Sequence, residues 1–208
     1  MIKIDHEPED RVLPGNAHNG SAAPCDIEER HWFVMRDLKR ANANLPAYKQ
    51  LAELGFEVFT PMKWEIVIRQ GKRKRVHIPF VQDLLFVHST RSELDPVVAS
   101  VSSLQYRFKK GGQYCEALTV REKDMTRFIA AVSSDPVPTF YRPEEITANM
   151  YGREIHIIGG PLNGYTGRLL SVKGLRKKRL IVELAGLLKV AVEVNPEFIR
   201  FDKVLRGV

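Results

Sequence analysis

Cysteine is almost missing from this sequence, with Cys25 and Cys115 the only two in 208 residues. One falls in a polar leader and the other in a Gly-rich loop, too few for a disulfide framework or a four-ligand zinc site, so a reducing cytoplasm is the expected setting. Long apolar runs are missing as well. No stretch approaches the roughly 18 residues that a membrane-crossing helix needs. Residues 1–30 lack the basic start and apolar centre of a secretory signal. They mix acidic residues with Pro, Gly, Asn and Ala, the composition of a disordered leader. A soluble protein is expected.

Catalytic signatures are also lacking. The six histidines show no H-E-x-x-H spacing, and His88-Ser89 has no G-x-S-x-G elbow around it. Gly159 to Thr166 imitates the G-x-x-x-x-G-K-T phosphate loop, but Tyr165 stands where the lysine belongs and strand signals, not a helix, follow. The carboxylates, Glu144 and Glu145 among them, have no spacing that suggests a catalytic pair. The expectation is a protein that is not an enzyme, with no catalytic residue, metal ligand or cofactor to name.

What the chain has in excess is positive charge: 32 Lys and Arg against 25 Asp and Glu, a net +7. Such a balance favours polyanionic partners, nucleic acid first. Two runs concentrate it, Lys72-Arg73-Lys74-Arg75 and Arg176-Lys177-Lys178-Arg179. Each lies between β-like segments and reads as an exposed hairpin tip.

Along the chain, Trp32 to Met35 is a nearly continuous apolar run suited to a strand buried on both faces. Asn44 is placed to cap an amphipathic helix carrying Leu45, Tyr48, Leu51 and Ala52, with Pro46 in its first turn and Gly55 at its end. Strands are expected over 57–60, 63–70, 76–80 and 84–88, the middle two forming a hairpin around Gly71 and the basic run. Leu94, Val97, Val98 and Val101 recur at helical spacing, with Pro96 leaving two starts open, after Ser92 or after Asp95. A strand over 104–109 follows. Thr119 and Glu122 have capping-box spacing ahead of a third helix bearing Met125, Phe128, Ile129 and Val132. Pro136, Pro138 and Pro143 then break the pattern. Five short β segments come after, at 153–158, 166–172, 179–184, 187–194 and 199–204, the signature of a small barrel.

Gly152 to Val172, reading GREIHIIGGPLNGYTGRLLSV, resembles the KOW motif, a strand, a Gly-Pro turn and a glycine opening the next strand. The segment before it resembles the N-terminal domain of NusG-type transcription factors in its aromatic opening strand, amphipathic helix, strand ending in Thr60-Pro61, basic hairpin, apolar strand and two further helices. One departure is Val81-Gln82-Asp83-Leu84, where the family usually has a Phe-Pro-Gly-Tyr type sequence. That departure and the leader are similar to specialised paralogues, the UpxY-like antiterminators of Bacteroides capsular polysaccharide operons.

The resemblance implies an α+β architecture. A leader over 1–30 precedes a mixed α/β sandwich over 31–132, with a mainly antiparallel sheet and flanking helices. A linker over 133–147 joins it to a five-stranded SH3-like KOW β-barrel over 148–208. It also implies an elongation and antitermination factor, expected to be monomeric. Such a factor would grip the clamp helices of RNA polymerase through Trp32, Phe33, Phe80, Leu84 and Phe86, residues whose bland reading is core packing. Lys39, Arg40 and Asn42 would meet non-template DNA, and Arg73, Lys74 and Arg75 would meet DNA or nascent RNA phosphates. In the barrel, Tyr165 and Arg168 would contact partners such as ribosomal protein S10 or Rho. Otherwise Tyr165 packs on the barrel with a wet hydroxyl. The rival class is a KOW-containing RNA-binding protein of the translation apparatus.

Overall fold

A computed structural model describes residues 29–39, 45–174 and 176–201; of Arg69 it describes only the backbone. The expected leader, Arg40, Asn42 and the proposed Asn44 cap lie outside the described residues, apart from Glu29 and Arg30 at the leader's end.

The first sheet is built on β1 (His31–Asp37). On one side β1 pairs antiparallel with β5 (Leu85–Ser89), which in turn pairs with β2 (Glu57–Phe59). Its other edge is shared: Trp32 and Phe33 meet β7 (Thr119–Val120), while Met35 to Asp37 meet β6 (Leu104–Tyr106). Alternation along β1 sends Phe33 and Met35 into one core with Leu85 and Val87, closed by Ala47 and Leu51 of α1 (Ala47–Glu53) and Leu94 of α2 (Arg91–Ser100). Trp32 and Val34 face the other way with Leu84 and Phe86, onto Met125, Phe128 and Ala131 of α3 (Glu122–Ser134). Both faces of the sheet are therefore buried, which is why its strands read as apolar runs.

The helix boundaries differ from those in the sequence pattern. α2 starts at Arg91, because Thr90 accepts a hydrogen bond from the Glu93 amide at 3.2 Å while the Glu93 carboxylate returns to the Thr90 amide. This capping box lies ahead of both expected starts. Thr119, by contrast, does not cap α3. It belongs to β7, and Arg121 takes the cap position without a side-chain capping bond. The ladder to β1 competes for the same residues and wins.

β3 (Met62–Arg69) and β4 (Lys72–Pro79) form a separate two-stranded hairpin. Its turn is only Gln70-Gly71, with φ of 51° and 74°, the backbone of a type I′ turn. So short a turn pulls the whole basic run into β4, and Lys72 to Arg75 are strand residues rather than a loop.

The second sheet has six strands in the order β13-β9-β10-β11-β12-β8. These are β9 (Tyr151–Ile157), β10 (Thr166–Leu170), β11 (Arg179–Leu184), β12 (Leu188–Glu193), β13 (Ile199–Phe201) and β8 (Thr139–Tyr141). The pairing is an open path, and among the described residues no ladder joins β13 to β8 to close a barrel. β8 occupies the free edge of β12, with Phe140 opposite Val190. It falls inside residues 133–147, where Pro136 and Pro138 precede a three-residue edge strand instead of preventing it.

Candidate functional site

The candidate residues of the first sheet are brought together by β1 and β5, but on two faces. Trp32, Leu84 and Phe86 share one face, Phe80 packs at its margin, and Phe33 lies in the opposite core. Trp32, Phe33, Leu84 and Phe86 are buried, at 2%, 3%, 3% and 0% exposed, while Phe80 is only partly buried. The cover of Trp32, Leu84 and Phe86 is α3 together with the second sheet, whose inner residues Phe140, Leu184, Leu188 and Val190 belong to the same core. Phe59 meets Phe128 edge-on at 6.1 Å, and Phe80 lies 5.7 Å from Phe140. Burial of each such side chain contributes about 1.5–3 kcal/mol.

Polar contacts fix the cover in place. Buried Asp135, just past α3, accepts from the amide of Val137 through Oδ1 and from the amide of Glu193 through Oδ2, both at 2.8 Å. Tyr165 is buried with its ring beneath the Arg127 guanidinium, 4.7 Å away, and its hydroxyl donates to the Arg127 carbonyl at 2.7 Å. The hydroxyl is thus bonded to α3, not wet. Burial pushes the Tyr165 pKa up, and the nearby Arg127 charge offsets part of that rise. Arg168 is exposed beside Tyr151, 5.6 Å from its ring. Arg127, Tyr151, Tyr165, Arg168 and Glu183 line a cleft of about 430 Å³ at this junction.

Lys39 sits at the far end of β1. Its amide donates to Asp37 Oδ1 at 2.9 Å and its ammonium to the Leu45 carbonyl at 2.9 Å, so it links the end of β1 to the residues just ahead of α1. Arg73, Lys74 and Arg75 are exposed on β4. Register places Arg73 opposite Ile68, Arg75 opposite Ile66 and His77 opposite Trp64. Trp64, Ile66 and Ile68, which the sequence reading passed over, are 50%, 67% and 71% exposed. Their period-2 spacing on a run ending in a Gln-Gly turn was the available signal. Among the described residues no cluster of acidic, His or Cys side chains could hold a metal ion, and no helix is long and apolar enough to cross a membrane.

Residues 30–129 match the model of the NusG family, described as transcription termination factor nusG. Among solved structures the chain is similar to one titled "Domain interaction in Thermotoga maritima NusG", at 15% identity and a TM-score of 0.42, over 84% of this chain and 98% of that one. No curated protein matches it.

Proposed function

We propose that the chain, which carries a NusG-family domain over residues 30–129, is a transcription elongation and antitermination factor that binds RNA polymerase. The family match carries this reading. The contact is made by the sheet face of Trp32, Leu84 and Phe86, with Phe80 at its margin, on the polymerase clamp helices. In the structure that face is covered by α3 and the second sheet. Polymerase binding therefore requires the second sheet to move off, and the clamp competes with Phe140 and its neighbours for the same apolar surface. The factor favours the processive polymerase only by binding it more tightly than the paused form. The second sheet, with its KOW-like Gly152–Val172 segment, supplies Tyr165 and Arg168 to a further partner such as S10 or Rho. Because the Tyr165 hydroxyl is bonded to Arg127, the same opening frees it. The operons served are those of polysaccharide biosynthesis.

Titration of purified core RNA polymerase tests this. Wild type is expected to bind saturably. The double variant Asp135→Ala/Tyr165→Phe, with a loosened cover, is expected to bind at least about tenfold more tightly, since the lost hydrogen bonds are together worth about 3–5 kcal/mol. Failure of both to bind at low salt, alongside tight binding to RNA alone, would replace this reading with the RNA-binding one.

A further inference from the structure

The hairpin of β3 and β4 holds most of the protein's charge imbalance. Residues 62–79 contain six Lys or Arg and one Glu, a net +5 within a chain of +7. The one acid, Glu65, pairs with Lys63 at 2.9 Å. Among the described residues no ion pair reaches Lys72, Arg73, Lys74 or Arg75. Alternation sorts the two strands into faces. One face carries Trp64, Ile66 and Ile68 from β3 and, opposite them, His77, Arg75 and Arg73 from β4. It has no acid, amide or hydroxyl. Trp64 is stacked on His77 with ring centroids 4.5 Å apart, and the Arg75 guanidinium lies 4.5 Å over the indole. These contacts hold the indole in one orientation while half its surface stays in water.

We infer that this face is a binding platform for single-stranded DNA, with Trp64, Ile66 and Ile68 receiving unpaired bases and Arg73 and Arg75 receiving the phosphates beside them. The inference deepens the nucleic-acid reading of Arg73 to Arg75 and rests on it. Apolar and aromatic side chains on a cationic strip match a ligand with alternating planar faces and negative charges. Spacing selects the unpaired form. Successive residues on one face of a strand are about 6.8 Å apart, twice the rise of about 3.4 Å between stacked bases in a duplex. Bases that settle on Trp64, Ile66 and Ile68 must be unstacked from one another. Duplex readout needs donors or acceptors aimed at base edges, and Ile66 and Ile68 have none. The absence of a hydroxyl or amide leaves little to recognise a ribose 2′-hydroxyl, while isoleucine suits the thymine methyl. The platform is pre-formed, so binding orders few side chains.

The test is fluorescence titration of the full chain, without polymerase, against a thymidine dodecamer, a uridine dodecamer and a DNA duplex of the same length. The variant Trp32→Phe leaves Trp64 as the lone tryptophan and the reporter. Stacking is expected to quench it, with the thymidine strand bound more tightly than the other two. In a background that keeps Trp32, with affinity read by anisotropy of labelled DNA, Trp64→Ala is expected to weaken binding by about tenfold and Trp64→Phe to restore most of it. Arg73→Gln/Arg75→Gln is expected to lower the slope of log affinity against log salt by about 1.4, for two phosphates of a single strand. Equal or tighter binding of the duplex, with sensitivity to Arg73 and Arg75 but none to Trp64, would overturn the platform while keeping the basic run as a phosphate anchor. Preference for the uridine strand would overturn the assignment to DNA. Core polymerase binding by Trp64→Ala reads the function of the first sheet separately and is expected to be unchanged.

Discussion

The hydroxyl of Tyr165 donates to the main-chain carbonyl of Arg127 across 2.7 Å, tying the Gly-rich turn of the second sheet to α3, the helix that packs on the first sheet. Thirty-eight positions separate the two residues in the chain, so this bond reports directly on whether the second sheet is seated. Tyr165→Phe keeps the ring under Arg127 and removes only the donor. It is expected to cost about 1–2 kcal/mol, read as a lower urea midpoint. Burial of the same hydroxyl makes stability depend on alkaline pH. The folded-state pKa of Tyr165 is raised above its ordinary value of 10.0, chiefly by burial. The folded chain therefore holds the phenolic proton where the unfolded chain has released it. Its contribution is fully present below pH 10 and is lost as pH rises through the raised value. Urea midpoints measured from pH 8 to pH 11 are expected to fall more steeply for wild type than for Tyr165→Phe.

Asp135 is the second tie. One carboxylate serves the Val137 amide in its own turn and the Glu193 amide at the end of β12. Asp135→Ala leaves a part-buried amide of the second sheet without its acceptor, and the Val137 amide with it, and is expected to cost about 2–3 kcal/mol. Asp135→Asn keeps one oxygen and recovers about half of that. Hydrogen exchange of the Glu193 amide distinguishes the two variants.

Trp32 carries a buried indole nitrogen with no hydrogen-bond partner among the described residues, while its ring stacks on His88 at 5.0 Å. Trp32→Phe removes the unpaired donor and keeps an aromatic ring in the core. Stability is expected to stay within about 1 kcal/mol of wild type, whereas Trp32→Ala costs about 3–5 kcal/mol through the cavity it opens. Thermal melts of the three proteins check the order.

Gly167, in the KOW-like run, has its importance in space. A Cβ there would meet the Ile181 carbonyl oxygen at 3.0 Å and Leu180 Cδ1 at 2.9 Å, on the neighbouring strand β11. The carbonyl belongs to the backbone of a paired strand and cannot swing aside. Gly167→Ala is expected to destabilise by about 1–3 kcal/mol, seen in denaturant titration. Gly164→Ala, with open space but φ of +78°, is expected to cost about 1 kcal/mol through backbone strain alone.

Much of this architecture was written locally. The apolar run at Trp32 to Met35, the stripe of Met125 and Phe128, and the Gly-rich turn before Thr166 each give the observed element because period and turn chemistry act within a few residues. Thr90 and Glu93 were legible as a capping box as well, three residues apart ahead of Leu94. Thr119 and Glu122 have the same spacing, and there it misleads, because β1 claims Thr119 for a ladder. Residues 139–141 show the reverse. Their prolines mark a break in regular structure, and only the free edge of β12 makes them a strand.

The sequence by itself determined most of the strands and helices, where the charge is concentrated, and that neither face of the first sheet would be left polar. Those properties follow from side-chain periodicity and backbone preference, which act over one or two turns of chain. Tertiary structure alone decided that Trp32, Leu84 and Phe86 lie in one core with α3 and the second sheet, that Tyr165 spends its hydroxyl on Arg127, and that a two-residue turn sets Arg73 and Arg75 across from Ile68 and Ile66. Pairing register and sheet-on-helix packing join residues far apart in the chain, and a run of apolar or basic letters has the same appearance whether its partner is solvent, a neighbouring strand or another domain.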